Sequence, residues 1–235
     1  MKSFITECAE TLAVLHSNTS EYVVIIPSKR AKKYMLEALS IAYAAPVYAP
    51  SILTIEEFVT SRNTDAVIDQ TRQLFLLFKI FKQEPIYSEL SFEEFLTWGP
   101  MLVNDFEEMN RYLLDSNQVF KNLIAIKELE SWNLGSEQEL SQSQRKFMEF
   151  WDELPKIFRE FNALLEEEKK TTSGKALRQL ALHGVAHISN EKKYYFIGFN
   201  ALTLGELTII KALRKNNQAD YWVDVDRYYL ANTSH

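Results

Sequence analysis

The chain has 235 residues, 46% of them hydrophobic and 13% aromatic, which is enough apolar material for one large domain or two small ones. Its 26 Lys plus Arg against 32 Asp plus Glu leave a net charge of -6, so no overall basic excess announces nucleic acid, and any such site has to be a local patch. A single cysteine, Cys8, excludes internal disulfides and cysteine-rich metal sites, and no apolar run approaches the roughly 18 residues of a membrane span. A cytoplasmic location without membrane association is the expectation.

Phe4, Cys8, Ala9, Leu12 and Leu15 recur at helical spacing and predict an amphipathic helix over 3–16. The interruptions Lys2, Glu7 and Glu10 mean that this stretch is not read as a signal peptide. Tyr22 to Ile26 is a continuous apolar run stopped by Pro27, the pattern of a strand buried on both faces. Ser28 caps the next helix, whose first turn is Lys29, Arg30, Ala31, Lys32 and Lys33 and whose apolar positions are Tyr34, Met35, Leu36, Leu39 and Ile41. Val47 to Leu53, with Pro46 and Pro50, fits an edge strand. Thr54 with Glu57 is a capping box that opens a short helix.

From Val67 the periodicity becomes helical for about a hundred residues. Leu74, Leu77, Phe78 and Phe81 mark one helix, and the capping box Ser91 with Glu94 opens another that runs to Met109, kinked at Gly99 and Pro100. Val119 to Leu129 and 144–168 are further helices, the second bent or broken at Pro155. Tyr194 to Ile197 is a second buried strand closed by Gly198, the capping box Thr203 with Glu206 starts a crossover helix, and Tyr221 to Val225 reads as a third buried strand. These elements predict an α/β fold with a parallel sheet assembled from residues 1–64 and 188–235, and a large all-α insertion over 65–187.

A parallel sheet directs attention to phosphate-binding motifs. Gly174 and Lys175 form the one Gly-Lys pair, but the earlier glycine of a Walker A loop is missing, Ala176 stands where Ser or Thr would hold magnesium, and no strand precedes it. The cluster Lys29, Arg30, Lys32 and Lys33 sits at a helix N-terminus, where ordinary design places acidic residues. It reads either as a phosphate contact or as a solvated basic face. Asp224 and Asp226, two apart near a strand end, could share a magnesium ion or simply mark where the strand leaves the core. His183 and His187 have metal-pair spacing, but Gly184 disturbs the helix between them and no catalytic Glu accompanies them.

Val23 to Met35 resembles a conserved block of superfamily 1 DNA helicases, a strand followed by a turn and a helix that touches single-stranded DNA, and Thr54 to Phe58 looks like the next block. Phe95 to Phe106, Phe120 to Leu123, Phe196 to Leu202 and Asp224 to Tyr229 are similar to the N-terminal region of PD-(D/E)XK nuclease family proteins of the AddB type, found in bacterial ATP-dependent helicase/nucleases. The resemblance implies a P-loop NTPase-like, superfamily 1 helicase-like domain in double-strand-break repair. Its partners would be DNA, in single-stranded form, and a helicase subunit of the AddA type.

It also sets Gly198 and Phe199 where an active helicase carries an Asp-Glu pair, and Asp224 and Asp226 in a block whose phosphate-sensing Gln is missing, so these residues mark a degenerate nucleotide site. No catalytic residue, metal ligand or cofactor is expected in the segment, and Ser28, Lys29, Arg30, Lys32 and Lys33 are the expected DNA contacts. The nuclease motif of the family lies far toward the C-terminus, which leads to the expectation that 1–235 is an N-terminal piece of a longer protein. The alternative is a protein interaction module whose aromatic-rich insertion docks a partner helicase subunit without touching DNA, a reading that a contiguous exposed patch of Trp98, Trp132 or Trp151 would favour.

Overall fold

In a computed structural model the chain is described over residues 2–122 and 142–225. The elements in chain order are α1 (Phe4–Leu15), β1 (Tyr22–Ile26), α2 (Lys29–Ala42), β2 (Ser51–Thr54), α3 (Ile55–Thr60), β3 (Ala66–Val67), α4 (Gln70–Phe81), α5 (Phe92–Leu96), α6 (Gly99–Arg111), α7 (Gln142–Glu167), β4 (Lys170–Thr171), α8 (Ser173–Gln179), β5 (Lys193–Ile197), α9 (Leu204–Lys215) and β6 (Ala219–Trp222), joined by loops and short turns. They fall into two compact units, 1–63 with 179–235 and 64–178. Residues 179–187, which the hydrophobic pattern alone assigns to the helical insertion, belong to the first unit.

The first unit is an α/β structure whose four-stranded sheet has the order β2-β1-β5-β6, with every neighbouring pair parallel. Its centre is β1, five consecutive buried residues of mainly β-branched type, in register with β2 on one side and β5 on the other. Tyr22, Val24 and Ile26 share one face with Tyr195 and Ile197, and that face is covered by Cys8, Ala9 and Leu12 of α1 and Met35 and Leu39 of α2. On the opposite face Phe58 of α3 makes edge contacts with Tyr194 and Phe196, at centroid distances of 5.6 and 5.9 Å.

Two sequence expectations are corrected here. The last strand is Ala219–Trp222 rather than Tyr221 to Val225, and it is a half-buried edge: its ladder closes where the Gly198 N–H donates to the Trp222 carbonyl, leaving Val223 and Val225 exposed. In α2 only Met35 and Leu39 of the five apolar positions are buried, with Ala31, Ala38 and Ala42 packed beside them. Tyr34, Leu36 and Ile41 point outward, because the helical period puts 31, 35, 38, 39 and 42 on the inner side.

The second unit is mostly helical, with a core of Leu77, Phe81, Phe95, Phe106, Leu154 and Ile157 among others. It is not all-α: Ala66–Val67 pairs in parallel with Lys170–Thr171, a bridge too short to leave any alternation in the sequence. Gly99 and Pro100 end one helix and begin another rather than kinking a single one; Pro100 stands in the first turn of α6, where its missing N–H costs nothing. Pro155 lies inside α7, which continues on both sides of it. The Val119 to Leu129 helix falls largely outside the described residues.

Candidate functional site

The chain leaves β1 through α2 toward one edge of the sheet and leaves the neighbouring β5 through α9 toward the other. This reversal opens a crevice beyond the carboxyl ends of two adjacent parallel strands, the position at which open α/β sheets hold ligands. A cleft of about 330 Å³ occupies it, lined by Ile26 and Pro27 leaving β1, Ile197 and Gly198 leaving β5, and Phe4 and Ile5 of α1. Asn200 and Asp224 bring polar side chains to it, and among the described residues no Lys or Arg lines it.

Gly198 has φ of +79° where β5 turns into the loop, a conformation that costs any side chain-bearing residue, whereas a Cβ there would lie an ordinary 3.9 Å from Phe4. The glycine is therefore selected by backbone conformation and not by crowding. Phe199 is buried, with its ring 6.3 Å from that of Phe196. Asp224 is exposed at the cleft and, with Glu7, adds to the burial that pushes the Cys8 thiol up to about 12. Asp226 lies outside the described residues. Of the residues expected from the sequence to mark a degenerate nucleotide site, then, Gly198 and Asp224 meet at one cleft and Phe199 belongs to the core. The sequence reads Phe4 as an apolar helix position and Asn200 as part of the loop after the strand, and only the fold brings both to the cleft.

The basic cluster begins beside the cleft, since Pro27 and Ala31 line it. Ser28 caps α2 by accepting the Ala31 N–H at 3.3 Å. The four cations are not equivalent. Lys32 Nζ lies 3.5 Å from Glu57 Oε2, and Lys33 lies 3.8 Å from Glu37 one turn on. The Glu57 carboxyl is held below the usual carboxylate range first by the Thr54 N–H of its capping box, then by Lys32 and Lys29. Among the described residues neither Lys29 nor Arg30 has a carboxylate partner, and both are exposed. They carry the charge of the cluster that no carboxylate pairs within 4.0 Å, although Glu57 is near enough to Lys29 to feel its field.

Gly174 and Lys175 lie in the second unit and are committed to its interior. The Gly174 N–H donates to Glu107 Oε2 at 2.6 Å, so a protein carboxylate already occupies the helix N-terminus, and Lys175 Nζ donates to Glu166 Oε1 at 2.9 Å and to the Asn162 carbonyl at 3.1 Å. A Cβ on Gly174 would come within 2.6 Å of the Glu107 carbonyl oxygen. Gly174→Ala is expected to lower stability by about 2 kcal/mol, read as a lower urea midpoint for the transition of this unit with an unchanged slope.

His183 lies in a π-helical turn and His187 in a 3₁₀ turn, so the uniform helical spacing that would join them is lost. Among the described residues no group of three or more His, Cys, Asp or Glu is arranged to hold a metal.

Compared with protein-family models and with curated proteins, the chain matches none. No helix among the described residues is long and apolar enough to cross a membrane.

Proposed function

We propose that the α/β unit is a helicase-like domain of P-loop type that binds single-stranded DNA without hydrolysing ATP, as part of a cytoplasmic AddB-type repair protein working with a helicase subunit of the AddA type. The observation that carries this reading is the pair Lys29 and Arg30, exposed and without carboxylate partners among the described residues, at the end of β1 in a chain whose net charge is -6. Two further features support it. The helix that bears them starts directly beyond a central parallel strand, so the cations stand in the first turn of a helix, the end at which the helix dipole favours an anion. The switch-point cleft offers a triphosphate no lining cation among the described residues and is walled by Phe4, Ile26 and Ile197.

The protein-docking alternative needs an exposed tryptophan patch. Trp98 and Trp151 are half-buried against the core of the second unit, which counts against it, and Trp132 lies outside the described residues.

The test is fluorescence anisotropy with a labelled single-stranded oligonucleotide over a range of salt. Binding is expected, with a slope of log affinity against log salt of about -0.7 for each phosphate neutralised. Affinity unchanged when Lys29, Arg30, Lys32 and Lys33 all become Glu would remove the assignment.

A further inference from the structure

We infer that the groove between α6 and α7 of the second unit is a docking site for a basic amphipathic helix of a partner protein. The inference goes beyond the DNA-binding reading and does not depend on it, since every residue it uses lies in the other unit. A cleft of about 760 Å³ lies between the two helices over a floor of core side chains, Leu102, Phe106, Phe120 and Leu154, none of them more than 6% exposed. Trp98 and Phe150 add rings 5.4 Å apart to its lining. Met101, Tyr112 and Leu114 also line it and are 65, 45 and 41% exposed, so the apolar surface reaches solvent instead of closing over. No exposed tryptophan patch is needed, because the tryptophans belong to the lining of the groove.

Length and charge select the occupant. Met101, Asp105, Glu108 and Tyr112 all line the groove and follow one another at helical spacing, a stripe roughly 16 Å long that matches about three turns of a partner helix. Its middle is acidic: Asp105 and Glu108 are the charged side chains among the lining residues, and neither makes an ion pair among the described residues. Partial burial first, then Glu108, raises the Asp105 carboxyl, so an incoming cation would relieve a repulsion already present. From α7, Glu153 and Glu149 add to the burial that pushes the Tyr87 phenol, also in the lining, up to about 12. Two neighbouring cations are engaged elsewhere, Lys156 with Glu84 and Arg178 with the Leu114 carbonyl. Residues 123–141 of the chain itself carry one Lys against four Glu, and the whole chain is at -6, so charge complementarity favours a basic helix from another protein.

The experiment uses the full chain and a labelled peptide of about 18 residues with Leu at i, i+3, i+4 and i+7 and Lys elsewhere, beside the same peptide with Glu in place of Lys. The Lys peptide is expected to bind in the micromolar range with a gain of helical circular dichroism, about tenfold or more tighter than the Glu peptide. Asp105→Asn with Glu108→Gln, both at exposed positions, should weaken it about tenfold, whereas Glu56→Gln with Glu191→Gln, which removes as much charge from the first unit, leaves it unchanged. Asp105→Lys with Glu108→Lys should reverse the preference toward the Glu peptide. No binding, equal affinity for the two peptides, equal losses from the two neutralised pairs, or a charge-reversed chain that still prefers the Lys peptide overturns the docking site. Tryptamine bound as tightly as the peptide would assign the groove to a small apolar cation, and a dimer of the chain that the peptide does not dissociate would assign it to a second copy; either result overturns the partner helix.

Discussion

The variant carrying Lys29→Gln and Arg30→Gln is expected to bind single-stranded DNA about thirtyfold more weakly than the unaltered chain, and the variant carrying Lys32→Gln and Lys33→Gln only about threefold. The sequence presents four cations in one turn and a half and gives no reason to rank them. The structure ranks them by their partners. Lys32 faces Glu57 at 3.5 Å and Lys33 faces Glu37 at 3.8 Å, so part of each charge is already balanced and a phosphate would have to compete. Lys29 and Arg30 make no ion pair within 4.0 Å among the described residues, Lys29 feeling Glu57 only at longer range, and each can supply a charge-assisted contact worth about 1 kcal/mol or more. Neutral substitutions keep repulsion out of the comparison. Equal losses from the two pairs would mean that the carboxylates do not discriminate among the cations. The salt slope should flatten in the first variant by about 1.4, the share of two phosphates, and barely change in the second.

The second large effect is chemical. Cys8, the one thiol of the chain, is expected to react with a disulfide reagent at pH 8 about a thousandfold more slowly in the folded protein than in denaturant. It lies on the inner face of α1 with 5% of its surface exposed, and burial first, then Glu7 and Asp224, push its pKa up to about 12. At pH 8 the thiolate is then a fraction on the order of one in ten thousand, against roughly a quarter for an unperturbed thiol. The sign is unambiguous: each contribution disfavours the anion, so the protection falls as pH rises toward the thiol pKa. Rapid stoichiometric labelling without denaturant would show that α1 leaves the sheet readily, and with it the wall of the switch-point cleft that Phe4 and Ile5 provide. Labelling rate is therefore a direct reading of how firmly that wall is held.

Much of the local structure was legible because it rests on contacts within a few residues. The three Ser/Thr with Glu pairs, Thr54 with Glu57, Ser91 with Glu94 and Thr203 with Glu206, all form reciprocal capping boxes. Tyr22 to Ile26 and Tyr194 to Ile197 form buried strands, because an uninterrupted apolar run closed by Pro27 or Gly198 admits few other solutions in a sheet covered on both faces. What could not be read are features whose cause lies far along the chain. The β3 with β4 bridge joins residues about a hundred positions apart through two residues on each side. The end of β6 is set by where its ladder with β5 stops, not by its own apolar content, so Val223 and Val225 look like strand interior and are not.

The candidate site divides in the same way. By itself the sequence determined that a capped basic helix follows a buried strand, that a glycine closes the second strand, and that a carboxylate pair lies near the third, since these are properties of composition and short-range order. Only the tertiary structure decided that β1 and β5 are neighbours, that the chain departs from them in opposite directions, and that Gly198 and Asp224 share one cleft while Phe199 turns into the core. It also decided that Tyr34 faces outward and that Lys29 and Arg30 stand outside the ion pairs of the cluster. The physical reason is common to all of these: pairing, burial and charge compensation depend on which distant groups arrive within a few ångströms, and no local pattern encodes that arrival.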